Sequence, residues 1–334
     1  MKKLLLICLS VLLLPLQSLM AAESPQVVVS IKPIHSLVSA IMEGVATPTL
    51  LVKTGSPHAY TLRPSEARAL GSADLVIWIG HELESFLEKP LQTVAGKSEK
   101  LELSDTLKLS LLATRNSAEW SEHSGHDEDA DHDEGVDHDE HEGHDEDADH
   151  DEHEGHEEDE HHHGAMDLHI WLDPKIAQQI VVESTKKLIE IDPEHTAQYQ
   201  ANSLKLNEKL IQLDEDLKQK LAPIKTVPYL AFHSAYQYFE IAYGLNAVGS
   251  VTIDPDRKPG AKGISEIRNR IKQTGARSVF SEPQFESSLV QTLIEGTGAT
   301  TGVLDPLGSD LEQGPEAYFT LLNNLADNLV KGLK

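Results

Sequence analysis

Six histidines lie among apolar and structure-forming residues: His35, His58, His81, His169, His195 and His233. Two of them lie at predicted strand ends, because His58 ends a Gly-Ser-Pro-His turn after a strand and His233 follows an apolar strand. His169 lies before an Ile-Trp-Leu segment, where an acidic, histidine-rich stretch of the chain joins the fold. Ligands of open parallel sheets bind beyond the carboxyl ends of strands, and three neutral imidazoles are a known zinc arrangement. We therefore predict that His58, His169 and His233 bind one Zn²⁺. The alternative for each is an ordinary cleft or surface histidine.

Two carboxylates follow predicted strands in the second half of the chain. Asp305 comes after Val303-Leu304, and we expect either Asp305 or a water molecule to be the fourth metal ligand. Because Asp305 precedes a proline, the alternative is that it only forms a turn. Glu282 directly follows the predicted strand 278–281, and we expect it, with Asp305, to add negative potential near the metal.

The remaining three histidines have positions that favour other roles. His35 lies in a helical stretch after Pro33, and we interpret it as a structural histidine beside the cleft. His81 lies at a strand end and is interpreted as a surface residue. His195 opens a long helical pattern, where we expect it to be exposed.

Residues 122–163 form an acidic, histidine-rich tract. It holds 22 of the 55 acidic residues, 12 of the 18 histidines and no Lys or Arg, and its decapeptide GHDEDADHDE occurs twice. A segment with so few large apolar side chains cannot bury enough surface to fold, so we predict a disordered loop. Imidazole and carboxylate together suit Zn²⁺. The alternative is an inert acidic spacer. We predict weak, unselective metal binding by the histidines of the tract, which are His123, His126, His132, His138, His141, His144, His150, His153, His156, His161, His162 and His163.

The composition of the whole chain excludes several classes of protein. The 334 residues carry a formal net charge of −27, of which −22 lies in the tract, so nucleic acid and anionic lipid are poor partners. The single cysteine, Cys8, excludes a disulfide framework and a cysteine-based zinc site. Cys8 lies in the apolar run 4–14 behind two lysines, which predicts a signal peptide over residues 1–22 and a periplasmic mature protein. No later run has the ~18 apolar residues of a membrane span, so we expect a protein that is not membrane-embedded.

Apolar runs alternate with helical patterns on both sides of the tract, which predicts a parallel α/β lobe on each side. The predicted lobes are residues 23–192 and 223–334. Between them, residues 193–222 repeat leucine at helical spacing and predict one long, rigid connecting helix. The predicted strands are at 27–31, 50–52, 75–79, 101–103, 229–232, 247–251, 278–281 and 303–304.

Several short segments resemble, in order, motifs of the metal-binding receptors of ABC transporters: Ser56–Tyr60 (SPHAY), His169–Pro174 (HIWLDP), Phe232–Tyr236 (FHSAY), Glu282–Phe285 (EPQF) and Asp305–Gly308 (DPLG). The first three resemble the metal-ligand motifs of that family, and the last two resemble segments that line its cleft. A His- and acid-rich loop just before the second ligand resembles the zinc-binding branch. The resemblance covers almost the whole mature chain.

The resemblance implies two lobes joined by a long helix, one metal ion between them, and delivery to a cognate permease and, through it, an ATPase. It implies Zn²⁺, because manganese-binding members tend to have a carboxylate where this chain has His233, and imidazole favours zinc. Two positions depart from the pattern. Pro57 replaces an acid that can act as a ligand in some zinc-binding members, and Ser278 lies where some members have a disulfide. We expect a monomer.

Two other functions would use the same residues. A periplasmic zinc buffer or chaperone would bind zinc without a transporter. A secreted zinc hydrolase would need a metal-bound water and a base such as Glu282, but the chain has no HExxH motif. We therefore predict an extracytoplasmic zinc receptor for an ABC permease, and not an enzyme.

Overall fold

The computed structural model describes residues 24–115, 166–252, 259–285 and 288–334. The predicted signal peptide, residues 1–22, and the tract, residues 122–163 with its metal-binding histidines, lie outside the described residues. Within these ranges the strands are β1 (Val27–Ile31), β2 (Thr49–Val52), β3 (Leu75–Trp78), β4 (Glu99–Glu102), β5 (Leu112–Ala113), β6 (Met166–Asp167), β7 (Tyr229–His233), β8 (Ala247–Thr252), β9 (Ser278–Ser281) and β10 (Thr300–Val303). The helices are α1 (Lys32–Ile41), α2 (Pro64–Gly71), α3 (Glu88–Thr93), α4 (Leu103–Thr106), α5 (Pro174–Ile191), α6 (Thr196–Leu221), α7 (Gln237–Tyr243), α8 (Ala261–Thr274), α9 (Ser288–Ile294) and α10 (Ala317–Leu333).

Each lobe is built on a four-stranded parallel sheet, and the two sheets have the same strand order. The N-terminal order is β2-β1-β3-β4 and the C-terminal order is β8-β7-β9-β10, so each runs second, first, third, fourth. Every residue of β1 and β3 is buried, as continuous apolar runs in parallel sheets covered on both faces usually are. This arrangement confirms the predicted fold class.

The long helix α6 connects the two lobes along the chain. Its leucines at helical spacing are buried, whereas the intervening polar residues are largely exposed. The helix packs against α1, α5 and α10, and one continuous apolar core extends from the N-terminal sheet across α6 to the C-terminal lobe. The helix is therefore part of a shared core. None of the helices in the described ranges is both long and apolar enough to cross a membrane.

The structure differs from the sequence-based expectations mainly at short elements and element ends. Strand β4 begins two residues before the predicted 101–103, and the predicted helix 193–222 starts as a 3₁₀ turn before α6. The last strand, β10 at Thr300–Val303, begins three residues before the predicted strand 303–304. The prediction missed its start because this edge strand is mostly exposed and has no apolar run. Helix α3 and the antiparallel pair β5–β6 were not expected. Elements this short have no periodic sequence pattern and form only through contacts with the residues that they pack against in the fold.

Candidate metal centre

His169 is held by the strand pair through which the chain returns from the tract. Asp167 ends β6, opposite Leu112 of β5, and its carbonyl oxygen accepts a hydrogen bond from Tyr238 Oη at 2.6 Å. Asp167 Oδ1 accepts hydrogen bonds from the His169 amide at 3.0 Å and from His169 Nδ1 at 2.8 Å. Because the proton is assigned to Nδ1, Nε2 presents its lone pair to the cleft.

His233 is the last residue of β7, which extends one residue beyond the predicted strand 229–232. Its Nδ1 donates to Oε1 of Glu282 at 2.6 Å, and both side chains are buried. Glu282 directly follows β9, the neighbour of β7. The connections from these two strands lead to opposite sides of the sheet, which is the point where open α/β sheets bind ligands.

His58 comes from a different kind of element. It lies in a single 3₁₀ turn, Pro57–Ala59, six residues after β2 ends. The Ser56 hydroxyl accepts a hydrogen bond from the His58 amide at 3.2 Å, and proline at the first position suits the turn. Burial, and then the neighbouring His169 and His233, lower the pKa of His58 from 6.5 to about 3. His58 is therefore neutral at physiological pH and has a lone pair for a metal.

The three imidazoles converge on one point. A ring nitrogen from each of His58, His169 and His233 lies within 4.8 Å of the others, and among the described residues no other group of His, Cys, Asp or Glu has this arrangement. The Nε2 atoms of His169 and His233 are 3.3 Å apart. Two Zn–N bonds of about 2.0–2.1 Å at a tetrahedral angle place their nitrogens about 3.3 Å apart. The pair therefore already has the spacing of a tetrahedral zinc site.

Two buried carboxylates complete the electrostatics of the site. Asp167 and Glu282 each accept a hydrogen bond from the Nδ1 of a histidine, as carboxylates beside metal-binding histidines commonly do. Their two negative charges balance one divalent cation. Sequence analysis singled out Glu282 but missed Asp167. The available signal was an acid two residues before a candidate ligand.

Asp305 is engaged by its own turn. Its Oδ1 accepts hydrogen bonds from the amides of Leu307 and Gly308, each at 3.0 Å, and its Oδ2 accepts one from the Ser309 amide at 2.6 Å. Gln284 Nε2 also donates to Oδ1, at 2.8 Å. The structure does not bring Asp305 into the three-histidine group, and its contacts are those of the turn-forming alternative.

The other three histidines of the described ranges lie outside the group. His35 is buried, with Nε2 at 3.0 Å from the Pro48 carbonyl oxygen, in a structural position. The side chain of His81 is 65% exposed, beside Glu102. His195 is half-buried, because its Nδ1 contacts the Asp192 carboxylate at 2.7 Å.

The cavity bounded by the three histidines is small. Its volume of about 10 Å³ corresponds to a single water-sized sphere, and its remaining walls include Pro57, Trp171, Phe285, Pro306 and Leu307. Trp171 Nε1 donates to the Pro306 carbonyl at 2.7 Å and ties two of these walls together. The cavity suits a bare ion and is too small for an organic substrate.

Comparison with known proteins identifies relatives of the whole chain. Residues 27–332 match the family described as "Zinc-uptake complex component A periplasmic". The "High-affinity zinc uptake system protein ZnuA" of Brucella abortus (strain 2308) is 45% identical over 316 residues, which cover 93% of this chain and 92% of that protein. The protein of the same name from Yersinia pestis is 34% identical over 312 residues, again covering 93% and 92%.

Solved structures share the fold at lower sequence identity. A crystal structure of ZnuA superimposes with a TM-score of 0.72 at 20% identity and covers 93% of this chain and 100% of that chain. A zinc-bound ZnuA deletion mutant superimposes with a TM-score of 0.71 at 20% identity, covering 93% and 99%. The solved structures confirm the fold, and the family match and the curated relatives confirm the resemblance to metal-binding receptors. The chain belongs to the family of periplasmic A components of zinc-uptake complexes.

Proposed function

We propose that this protein is an extracytoplasmic receptor that captures Zn²⁺ with His58, His169 and His233 and delivers it to an ABC permease and, through it, to an ATPase. The family to which the chain belongs acts in zinc uptake. The assignment of the ligands rests on the convergence of three imidazoles in a cavity that has room for one ion.

The donor set supports zinc as the transported ion. Three neutral nitrogen ligands suit Zn²⁺ and its neighbours, whereas Mn²⁺ favours sites with more carboxylate and water oxygens. Asp167 and Glu282 supply negative charge from behind the histidines without offering a direct carboxylate ligand to the ion. We infer that the fourth ligand is water, since both oxygens of Asp305 accept backbone hydrogen bonds.

The proposal extends to the location and the tract. We infer that the receptor is periplasmic, as the description of its family has it, and that it acts as a monomer. The tract collects or buffers additional zinc with weak, exchangeable ligands. Deleting residues 122–163 should then lower the number of zinc ions bound per chain and leave one tight ion.

The main experiment removes two of the three ligands. The double variant His58→Ala/His233→Ala in the full chain should lose the single tightly held Zn²⁺ and keep the weakly held ions. Binding is measured by competition with a chromophoric chelator. The matched control is His81→Ala, a histidine with a 65% exposed side chain outside the group. Unchanged tight binding in the double variant would contradict the ligand assignment.

A zinc buffer without a transporter would bind the ion identically and differ only in its partner. Growth under zinc starvation, with and without the permease, separates the two functions. A hydrolase is disfavoured by the size of the cavity, which leaves no room for an organic substrate beside the three histidines.

A further inference from the structure

Lys32 is a buried cation at the N-terminal equivalent of the place where the C-terminal lobe holds His233 and Glu282. It directly follows β1, and the connections from β1 and β3 lead to opposite sides of the N-terminal sheet, as those from β7 and β9 do in the other lobe. Only 7% of Lys32 is exposed. A buried ammonium group is costly unless each of its donors is paired, so its partners are informative.

The partners of Lys32 belong to the other lobe. Its Nζ donates to the carbonyl oxygens of Gly308, Ser309 and Leu311, each at 2.7 Å. These residues lie in the connection between β10 and α10, which we call the 305–311 loop. The three N–H donors of the ammonium group are therefore all satisfied by one loop. Burial lowers the pKa of Lys32, and the nearby Asp305 and Asp310 act in the opposite direction.

The same loop is fixed on its other side by Asp305. The Asp305 carboxylate accepts the amide protons of Leu307, Gly308 and Ser309, while Lys32 holds carbonyl oxygens of the same stretch. Gly308 has a φ of +64°, and a Cβ there would lie 2.8 Å from a methyl carbon of Leu311. The amides of the loop are therefore bonded to a carboxylate, and its carbonyl oxygens are bonded to an ammonium group. Hydrogen bonds on both sides stabilise one conformation of the loop.

This loop also forms part of the wall of the metal cavity. Pro306 and Leu307 line the cavity with the three histidines. Leu307 also borders a second small cavity, which is lined by Lys32 and by Gly55 of the segment that precedes His58. A displacement of the 305–311 loop would therefore open the cavity to water and remove support from the side of His58.

We propose that Lys32 is a positioning residue for the metal site, which acts across the lobes by holding the 305–311 loop closed over the bound ion. The inference rests on the proposed function, because it assumes that the ion lies among the three histidines. Lys32 does not touch the ion. Its contribution is to exclude water and slow the escape of zinc.

The first test compares two lysine variants of the full-length protein. Weakly held zinc is first removed with a weak chelator, and release of the remaining ion to a strong chelator is followed over time. Lys32→Met should release zinc at least about 10-fold faster than wild type, the scale of losing support behind a metal ligand. The control is Lys209→Met. Lys209 lies on α6, and its Nζ donates to Oε1 of Glu316 at a distance of 2.6 Å; neither residue lines the metal cavity. This variant should release zinc at the wild-type rate.

A double-mutant cycle separates positioning from general stabilisation of the fold. Leu307→Ala removes part of the cavity wall and leaves the three Lys32 acceptors, which are backbone atoms. If Lys32 acts through the loop, Lys32→Met/Leu307→Ala should release zinc hardly faster than the faster single variant. Multiplied single-variant effects would overturn the inference. If Lys32→Met fails to fold, Leu307→Ala alone must accelerate release, and a wild-type rate would overturn the proposal.

The outcomes also separate this inference from the proposed function. Wild-type protein that retains no zinc after the weak chelator would contradict the proposed function. Wild-type retention with equal release rates in Lys32→Met and Lys209→Met would contradict only the role of Lys32. The free energy of unfolding of each zinc-free variant is also measured. If Lys32 positions the loop, its removal should accelerate zinc release by more than the loss of that free energy accounts for.

Discussion

The two lobes have the same strand order but hold their metal ligands in different ways. In the C-terminal lobe, His233 is the last residue of β7, and Glu282 after the neighbouring β9 accepts its Nδ1 proton. In the N-terminal lobe, His58 lies on a short turn beyond β2, with its amide bonded to Ser56. One sheet topology therefore supplies a ligand fixed by a strand and a ligand carried by a turn.

The two lobes also pair their buried acids with different partners. Glu84 of the N-terminal lobe accepts hydrogen bonds from the amides of Ile79 and Gly80, at 2.7 and 3.2 Å. Glu240 of the C-terminal lobe is instead paired with Arg115 and accepts a hydrogen bond from Tyr229 at 3.3 Å. From the way in which the two ligands are held, by a strand and by a turn, we expect the C-terminal half of the site to be organised before the ion binds and the N-terminal half to adjust on binding.

Removal of a ligand should have the largest effect, and a larger one in the C-terminal lobe. His233→Ala should weaken zinc binding more than ~100-fold, beyond the upper range for loss of a group behind a ligand. It also leaves Glu282 buried without its histidine partner. His58→Ala should cost less, because water can reach the vacated position from the turn. Chelator competition measures both affinities. An equal or greater loss in His58→Ala would refute the comparison.

Glu84 should make the N-terminal lobe sensitive to pH. Burial raises the pKa of Glu84 from 4.5 to about 7, against the hydrogen bonds that lower it. Between these values the folded state keeps a proton that the unfolded state has released. The free energy of unfolding should therefore fall as pH rises from about 4.5 to about 7, by roughly 3 kcal/mol from this group.

The measurement for Glu84 is chemical denaturation of the zinc-free protein at several pH values. Glu84→Gln should lose this part of the pH dependence, because the amide does not titrate. Glu82→Gln, at a neighbouring exposed position, is the control and should keep the wild-type slope. A Glu84→Gln slope equal to that of wild type would show that Glu84 does not titrate in this range.

Neutralising the carboxylate behind His233 should have an intermediate effect. Glu282→Gln can still accept the Nδ1 proton but no longer balances the charge of the ion, so zinc affinity should fall 10- to 100-fold. Isothermal titration in the presence of a competing chelator measures the change. Glu295→Gln, on the surface of the same lobe, is the charge-matched control. Equal affinities of the two variants would argue against electrostatic support from Glu282.

The smallest effect is expected at the turn that carries His58. Ser56→Ala removes the hydroxyl that accepts the His58 amide proton, and loss of such a cap costs about 1 kcal/mol at most sites. Zinc affinity should therefore fall no more than about 5-fold, as the turn re-forms around the ion. A loss as large as that of Glu282→Gln would mean that both halves of the site are equally organised.

Local sequence patterns were sufficient to predict much of the fold. The strand bounds Val27–Ile31 and Ser278–Ser281 agree with the prediction. For Val27–Ile31 the signal is the largely apolar run that is typical of a buried parallel strand. Helix α6 followed from its leucine spacing. The three histidines of the candidate site were identified by their positions after strands and turns and by their resemblance to a receptor family. Each of these signals is local, because it is carried by residues that are near neighbours along the chain.

Contacts between distant residues were decided only by the tertiary structure. Asp167 supports His169 because β5 and β6 pair across the tract, and the carbonyl partners of Lys32 lie about 276 residues further along the chain. Asp305 could be a ligand or a turn residue by sequence, and its backbone hydrogen bonds favour the turn. Residue type determined which chemistry was available to this protein. Which groups meet the ion depends on packing between lobes, for which a single sequence has no local signal.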